Sequence, residues 1–301
     1  MARGLDHIVH AVRDLDAAAE LYRRLGFTVG ARNRHPRAWG TQNHIVQLPG
    51  TYVELLAVAD ATHMVPHAER AFSFGAYNRD FLARQEGLSM IALEGRGQDD
   101  ADAFRDEGIG NFETYELKRE GRRPDGTPLP LTFVLAFACD PNARDVGFFS
   151  SLNRNPENFW NPAFQMHANG SVAVAGVILV AENPGDHEAF LSAFVGKCDI
   201  QETSGGIAVQ TARGTIEVMD PAAFGQFGGE APDVSRGARL AALRFVVEEI
   251  TPATRLLQQN GVDAERRQNR LVVSPKTAMG ATLVFERGVD PGRARTHGPA
   301  R

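Results

Sequence analysis

Apolar and polar residues change their spacing at regular points along this chain, and each change predicts a change of secondary structure. The stretch LDHIVHAV at 5–12 is short and contains Ile and Val, which favours a strand. Asp14 then supplies a good helix N-cap, and Gly26 a helix stop. Between them one helical face holds Leu15, Ala18, Ala19, Tyr22 and Leu25. Strand-like runs at 27–31, 40–48 and 51–58 complete a β-α-β-β-β unit.

The same order of elements recurs along the rest of the chain. Strand-like runs at 172–181 and 239–248 each precede a helical pattern that ends at a glycine and is followed by further strands. A fainter copy occupies 88–139, where the helical pattern ends at Gly108. Four such units form an internal repeat, and each is too small to bury a core alone, so we expect them to pair.

These patterns predict an α+β protein of four βαβββ modules paired into two halves. The first half covers 1–168 and the second covers 169–290. Residues 291–301 lack periodicity and are rich in Gly, Pro and Arg, which predicts a flexible tail.

The charge and the composition of the chain limit the kinds of partner that we expect it to bind. The 301 residues carry a formal net charge of −5, and no run of Lys or Arg exceeds a pair, which argues against nucleic acid. No apolar run approaches the roughly 18 residues of a membrane span, so we expect a cytoplasmic, bacterial-type protein. We also expect a small-molecule partner and a possible homodimeric state. Sequence motifs for ATP binding, zincin chemistry and serine hydrolysis do not occur.

Two histidines in the first strand raise the question of a metal site. Successive side chains of a strand alternate between its faces, and His7 and His10 are three positions apart. They therefore point to opposite faces and cannot bind one metal together. Ile8 and Val12 share the face of His10, which should lie against the helix, so we expect His10 to be a neutral, hydrogen-bonded packing residue beneath Tyr22.

The segments LDHIVHAVRDLDAAAELYRRLGF, HPRAWGTQN and TYVELL resemble the glyoxalase-like branch of the vicinal-oxygen-chelate superfamily. The resemblance implies paired βαβββ modules that curl into an open cup, with a divalent metal such as Zn, Ni, Mn or Fe that chelates vicinal oxygens of a substrate. Members include lyases, isomerases, extradiol dioxygenases and metal-free antibiotic-binding proteins of the bleomycin-resistance type. It therefore defines the fold more closely than the reaction.

The resemblance also implies metal ligands. His7, in the DH dipeptide, and Glu54, in TYVELL, occupy places where the family has ligands, and Glu54 would also be a catalytic residue. A buried carboxylate needs a partner, so Glu54 has an alternative role as the ion-pair partner of Arg32, Arg34 or Arg37.

The sequence departs from the family at the other ligand places. Met90 aligns with His7, and a thioether suits a hard divalent ion poorly. Asn153 stands near the place of another family ligand, where its side-chain carbonyl oxygen could complete the metal site. His167 could also move in to bind the metal, although the favoured role of His167 is to form hydrogen bonds to backbone between the halves. In the second half Glu217 corresponds to Glu54, but Gly176 and Ala242 replace the histidines, which predicts a degenerate half without a metal-binding imidazole.

Other polar residues are candidates for binding the substrate. Thr41 and Asn43 share one strand face, and the preceding loop contains Arg37 and Trp39. Arginine binds carboxylates and phosphates, and tryptophan stacks on planar ligands. The alternative is a solvated loop whose tryptophan covers the edge of the core.

Two functions remain open at this stage. In the first, His7 and Glu54 hold a metal ion, and the protein acts on a small oxygenated metabolite as a lyase, isomerase or dioxygenase. In the second, a metal-free cup sequesters a planar or anionic compound through Trp39 and nearby arginines. The incomplete ligand set weighs against the first, and the His7–Glu54 pair weighs against the second; the sequence favours the first by a small margin.

Overall fold

The computed structural model describes residues 2–122 and 127–288, and it contains two mixed sheets of eight strands each. The first sheet has the order β2-β3-β4-β1-β5-β8-β7-β6, with β1 parallel to β4 and antiparallel to β5. Its strands are β1 (Leu5–Ala11), β2 (Asn33–Arg34), β3 (Thr41–Leu48), β4 (Thr51–Val58), β5 (Gly87–Glu94), β6 (Tyr115–Arg122), β7 (Pro128–Ala138) and β8 (Gly147–Asn153). Its helices are α1 (Leu15–Arg24), α2 (Phe74–Arg84), α3 (Gln98–Asp106) and α4 (Pro156–Phe159).

The second sheet repeats this order, strand for strand, as β10-β11-β12-β9-β13-β16-β15-β14. Its strands are β9 (Ser171–Val180), β10 (Ile200–Thr203), β11 (Gly206–Gln210), β12 (Thr215–Met219), β13 (Arg239–Val247), β14 (Glu265–Arg267), β15 (Arg270–Val273) and β16 (Thr282–Arg287). Its helices are α5 (Glu188–Val195), α6 (Pro221–Phe227) and α7 (Ile250–Gln259). The predicted α+β fold of paired βαβββ modules is confirmed. The boundary proposed at 168/169 falls between the two sheets, and the predicted tail at 291–301 lies outside the described residues.

The first module shows why these residues adopt this fold. The carboxylate of Asp14 accepts a hydrogen bond from the backbone N–H of Ala17 at 2.9 Å, which caps α1 as expected. The chain leaves the helix at Gly26 with φ +87°, and a Cβ atom there would lie 2.4 Å from Leu256 of the second half. Glycine suits this position because it adopts a positive φ readily and has no Cβ atom to contact Leu256.

Two local predictions differ from the structure. The run at 27–31 is irregular rather than a strand, because Thr28 bonds to the linker between the sheets: its N–H donates to His167 Nδ1 at 3.1 Å and its hydroxyl to the Met166 carbonyl at 2.6 Å. The other imidazole nitrogen of His167 bonds to the Gln47 carbonyl at 2.8 Å, which confirms the backbone-bonding role expected for this histidine. The second difference is that the strand after α1 forms later than predicted, as the short β2 at Asn33–Arg34, which pairs with β3.

The two halves pack through the helix-bearing faces of their sheets. Buried apolar residues from both halves form one cluster there, with the rings of Phe27 and Phe245 4.8 Å apart. A buried ion pair joins Arg3 to Asp100 at 2.6 Å, and Arg3 also donates to the Phe194 carbonyl at 2.9 Å. The opposite face of the first sheet is left to line a cup with its own apolar cluster. None of the helices in the described ranges is long and apolar enough to cross a membrane.

Candidate functional site

The two histidines of β1 lie on opposite faces, as strand parity predicts. His10 is fully buried between the halves, where Nδ1 lies 3.0 Å from the Tyr22 hydroxyl and Nε2 lies 3.1 Å from the Met279 carbonyl. A carbonyl can only accept, so Nε2 carries the proton and Nδ1 accepts from the tyrosine. Burial lowers the pKa of His10 to about 4, and the bond to Met279 opposes this shift only in part. The expected neutral packing role is confirmed.

His7 faces the cup and is held in one tautomer. Its Nδ1 lies 2.6 Å from a carboxylate oxygen of Asp6, so this nitrogen carries a proton and donates a hydrogen bond to the carboxylate. The ring stacks on Tyr52, with centroids 4.3 Å apart and planes at 11°. In the neutral ring Nε2 therefore carries the free lone pair, and this nitrogen lies in the cup 3.9 Å from an oxygen of Glu54.

Glu54 is buried on the neighbouring strand β4, where it pairs with Val9. Its Oε1 accepts a hydrogen bond from the side-chain amide of Asn43 at 2.5 Å. The same amide nitrogen lies 3.1 Å from Nε2 of His35, which therefore accepts from it. Within the described part of the chain the basic side chains within 4 Å of Glu54 are the imidazoles of His7 and His35, so the alternative of a bond to Arg32, Arg34 or Arg37 is wrong.

The loop before β3 contributes one imidazole and one indole to the cup. Nδ1 of His35 bonds to the Thr41 hydroxyl at 2.8 Å, and burial lowers the pKa of His35, although the charge of Glu54 opposes this. Trp39 stacks on Phe74 with centroids 4.4 Å apart. A Cβ atom on Gly75 would lie 2.0 Å from the Trp39 carbonyl oxygen, so the glycine in α2 allows this loop to close over the cup.

These side chains enclose a cavity of about 40 Å³, which has room for roughly three water molecules. Its polar residues come from five strands and one loop, and aromatic and aliphatic side chains form the rest of the wall. The lining consists of His7, His35, Trp39, Asn43, Ile45, Tyr52, Glu54, Phe74, Leu117, Arg119, Phe133, Leu135, Phe149 and Ser151.

A larger open groove of about 720 Å³ adjoins the cavity, and Ile45 and Arg119 line both. Apolar side chains form much of the groove wall, among them Leu131, Phe159 and Phe164. The narrow cavity and the wide groove are therefore adjacent, and both combine apolar with polar side chains; Gln47, Glu157 and Asn158 are among the polar residues of the groove.

The structure brings together most of the residues expected from the sequence. His7, Trp39, Asn43 and Glu54 line the cavity, and Thr41 contacts it through its bond to His35. Arg37 is exposed and does not line the cavity.

Asn153 also lies away from the cavity. It is on the cup face of β8 two positions beyond Ser151, and its Oδ1 accepts from the backbone N–H of Asn155 at 2.9 Å.

Several lining residues were not expected from the sequence, notably Arg119, Tyr52 and His35. Arg119 lies on β6 between the exposed residues Lys118 and Glu120, in a run that reads as a solvated edge strand. The signal that could have identified it is the alternation of Tyr115, Leu117 and Arg119, which assigns the arginine to the apolar face.

The resemblance implies a divalent metal, which would need several free side-chain donors in the first cup. A catalytic metal is usually held by about three protein donors with free lone pairs. Hydrogen bonds from Asn43 occupy both Glu54 Oε1 and His35 Nε2, which leaves His7 Nε2 and the second oxygen of Glu54. No group of three or more His, Cys, Asp or Glu side chains in residues 2–122 and 127–288 is arranged to hold a metal. The residues present therefore do not fit a resident divalent ion.

Comparison with known proteins agrees with this architecture. A family model described as "Glyoxalase-like domain" matches residues 5–195, and no curated protein matches the chain. A hypothetical protein from Staphylococcus aureus is similar in structure, with a TM-score of 0.66 at 12% identity over 95% of this chain and 100% of that one. A variant of 4-hydroxymandelate synthase from Streptomyces coelicolor is similar with a TM-score of 0.55 at 13% identity, over 96% of this chain and 94% of that one.

At these identities the solved structures establish a shared fold and nothing about function. The family model covers more than half of the chain. The protein therefore belongs to the glyoxalase-like domain family.

Proposed function

We propose that the cup of the first half binds a small oxygenated metabolite and that His7 takes a proton from it. The observation that carries this proposal is the bond between His7 Nδ1 and Asp6 at 2.6 Å, which in the neutral imidazole places the free lone pair on Nε2, in an enclosed cavity. A base that is oriented by a carboxylate and faces a pocket is the usual arrangement for proton abstraction.

The step is the removal of a proton from a carbon next to a carbonyl group. The C–H bond breaks, the proton moves to Nε2 of His7, and the electron pair moves to the carbonyl oxygen to form an enolate. Glu54, 3.9 Å from Nε2, stabilises the imidazolium that results. Return of the proton to carbon gives an isomer, and loss of a leaving group gives a lyase product.

The experiment is hydrogen–deuterium exchange of 4-methyl-2-oxopentanoate in D₂O, followed by loss of its C3 proton signals in NMR spectra. We expect the full-length protein to accelerate this loss and His7→Gln to abolish the acceleration. His63→Gln, which changes an exposed histidine, is the matched control and should behave as the unsubstituted protein. Equal exchange in His7→Gln and the unsubstituted protein would refute the role of His7.

The competing function is a metal-free binding protein, which the aromatic wall of the cavity favours. In that case the protein binds the compound but does not accelerate exchange. Elemental analysis of protein purified without a metal-chelating tag completes the test. We expect far less than one equivalent of Zn, Ni, Mn or Fe, whereas one equivalent that disappears in His7→Ala would contradict our conclusion about the donor set.

A further inference from the structure

Arg119 lines the cavity, and the cup leaves two of its polar atoms unused. Its Nε and Nη1 atoms are buried and have no hydrogen-bond partner within the described residues. Its guanidinium carbon lies 5.7 Å from the centre of the Phe133 ring, a contact that leaves the N–H groups free. A buried charged donor without a partner is costly, and a natural protein retains such a group where a ligand supplies the acceptor.

The charges around Arg119 do not remove this need. Glu54 lines the same cavity, but one of its oxygens already accepts from Asn43 and the other lies nearest to His7. Burial lowers the pKa of Arg119, while the negative charge of Glu54 opposes that shift, and a guanidinium remains a cation at neutral pH. The cavity therefore presents an uncompensated set of N–H donors that suits an anion with oxygen acceptors.

The position of Arg119 limits the shape of that anion. The cavity is about 40 Å³, enough for a carboxylate and the carbon that bears it, and Arg119 also lines the adjacent groove of about 720 Å³. The groove wall carries Leu129, Leu131, Phe159 and Trp160, and also Phe164, whose side chain is 40% exposed. A ligand with its charged end at Arg119 would thus extend an apolar body over these side chains.

We propose that Arg119 binds the carboxylate of an amphipathic monocarboxylic acid whose apolar body lies in the adjoining groove. This inference rests on the proposed function only for the identity of the reacting carbon, which is the one that faces His7. It also accounts for the incomplete metal site, because the guanidinium takes the place of a cation as the group that binds substrate oxygens.

The experiment is calorimetric titration of the full-length protein with three probes. The first is 3-phenylpropionate, the second is the uncharged 3-phenylpropionamide, and the third is acetate, which lacks the apolar body. We expect the amide and acetate each to bind at least about tenfold more weakly than 3-phenylpropionate. We also expect Arg119→Leu to weaken the binding of 3-phenylpropionate by at least about tenfold, and Arg37→Leu, at an exposed arginine, to leave it unchanged. Thermal melts verify that both variants are folded.

The results separate this inference from the proposed function. No binding of 3-phenylpropionate, equal binding of the acid and the amide, or unchanged binding in Arg119→Leu would overturn the role of Arg119. Equal binding of acetate and 3-phenylpropionate would overturn the role of the groove. His7→Gln should retain the affinity, so loss of the exchange reaction without loss of carboxylate binding leaves the inference intact and bears on His7 alone.

Discussion

The two halves place a glutamate at the same position of the same sheet and surround it differently. Glu54 pairs with Val9 in parallel strands, and Glu217 pairs with Ile178 in the corresponding strands of the second half. Around Glu54 are an amide, two imidazoles and a cavity. Glu217 instead forms an ion pair with Arg244, which also bonds to Glu286 at 2.5 Å.

The position of His7 shows the same contrast. Its counterpart Gly176 lies opposite Thr215, as His7 lies opposite Tyr52. A Cβ atom on Gly176 would lie 2.3 Å from the Thr215 carbonyl oxygen, so no imidazole fits there. Phe227 of α6 covers Arg244 and Arg270, with its ring centre 4.2 Å from the guanidinium carbon of Arg270. The fold thus uses one carboxylate position for internal charge pairing and leaves the other facing a cavity.

The largest effect that this comparison predicts is on stability, at Arg244. Arg244→Leu leaves Glu217 and Glu286 partly buried without their shared partner, and removal of one member of a buried ion pair costs about 3 kcal/mol or more. Urea unfolding measures this loss. Carboxylate binding in the first half should not change.

Arg119→Leu is the matched variant in the first half. Because Nε and Nη1 of Arg119 have no hydrogen-bond partner to lose among residues 2–122 and 127–288, we expect the free energy of unfolding to change by less than about 1 kcal/mol. A loss as large as that of Arg244→Leu would mean that Arg119 is a structural residue, and the contrast between the halves would then be wrong.

Sequence could predict the features of the cup that depend on local pattern. The alternation of β1 separated His7 from His10, and the cap at Asp14 and the stop at Gly26 set the limits of α1. The run at 27–31 was mispredicted because Thr28 in its middle bonds to the linker at Met166 and His167 and not to a neighbouring strand. Tertiary contacts override propensity at such a place.

The remaining site residues depend on strand pairing far along the chain. Arg119 reaches the cavity because β6 pairs with β7, and β7 with β8, in the register that sets Arg119 opposite Leu131. No local pattern specifies that register. Asn153 was expected from its place near a family ligand, but it lies two positions beyond Ser151 and caps the following turn.

A further prediction concerns His10, which lies at the contact between the halves. Its pKa is about 4 in the folded protein and 6.5 as the ordinary value, so the unfolded chain binds the proton first as the pH falls. This contribution to stability is complete above pH 6.5 and is lost between pH 6.5 and about 4, to a total of roughly 3 kcal/mol. Unfolding by urea at a series of pH values measures it.

The control for this pH dependence is His10→Leu, which removes the titrating group. At neutral pH it should cost about 1–3 kcal/mol, because the Tyr22 hydroxyl and the Met279 carbonyl both lose their partner. Below pH 6.5 the variant should lose less stability than the unsubstituted protein. Parallel pH profiles would mean that other groups carry the effect.

The smallest expected effect on stability is that of His7→Leu, on the other face of the same strand. The partner of His7 is Asp6, whose side chain is 14% exposed and can bond to water instead, and leucine retains an apolar contact with Tyr52. We expect the free energy of unfolding to change by about 1 kcal/mol or less, while the exchange of 4-methyl-2-oxopentanoate is abolished. His10→Leu should do the reverse, with a clear loss of stability and normal exchange. Thermal melts and NMR exchange rates on both variants decide the matter: if His10→Leu stops the exchange and His7→Leu does not, the reacting face of β1 is the one that we assign to the core.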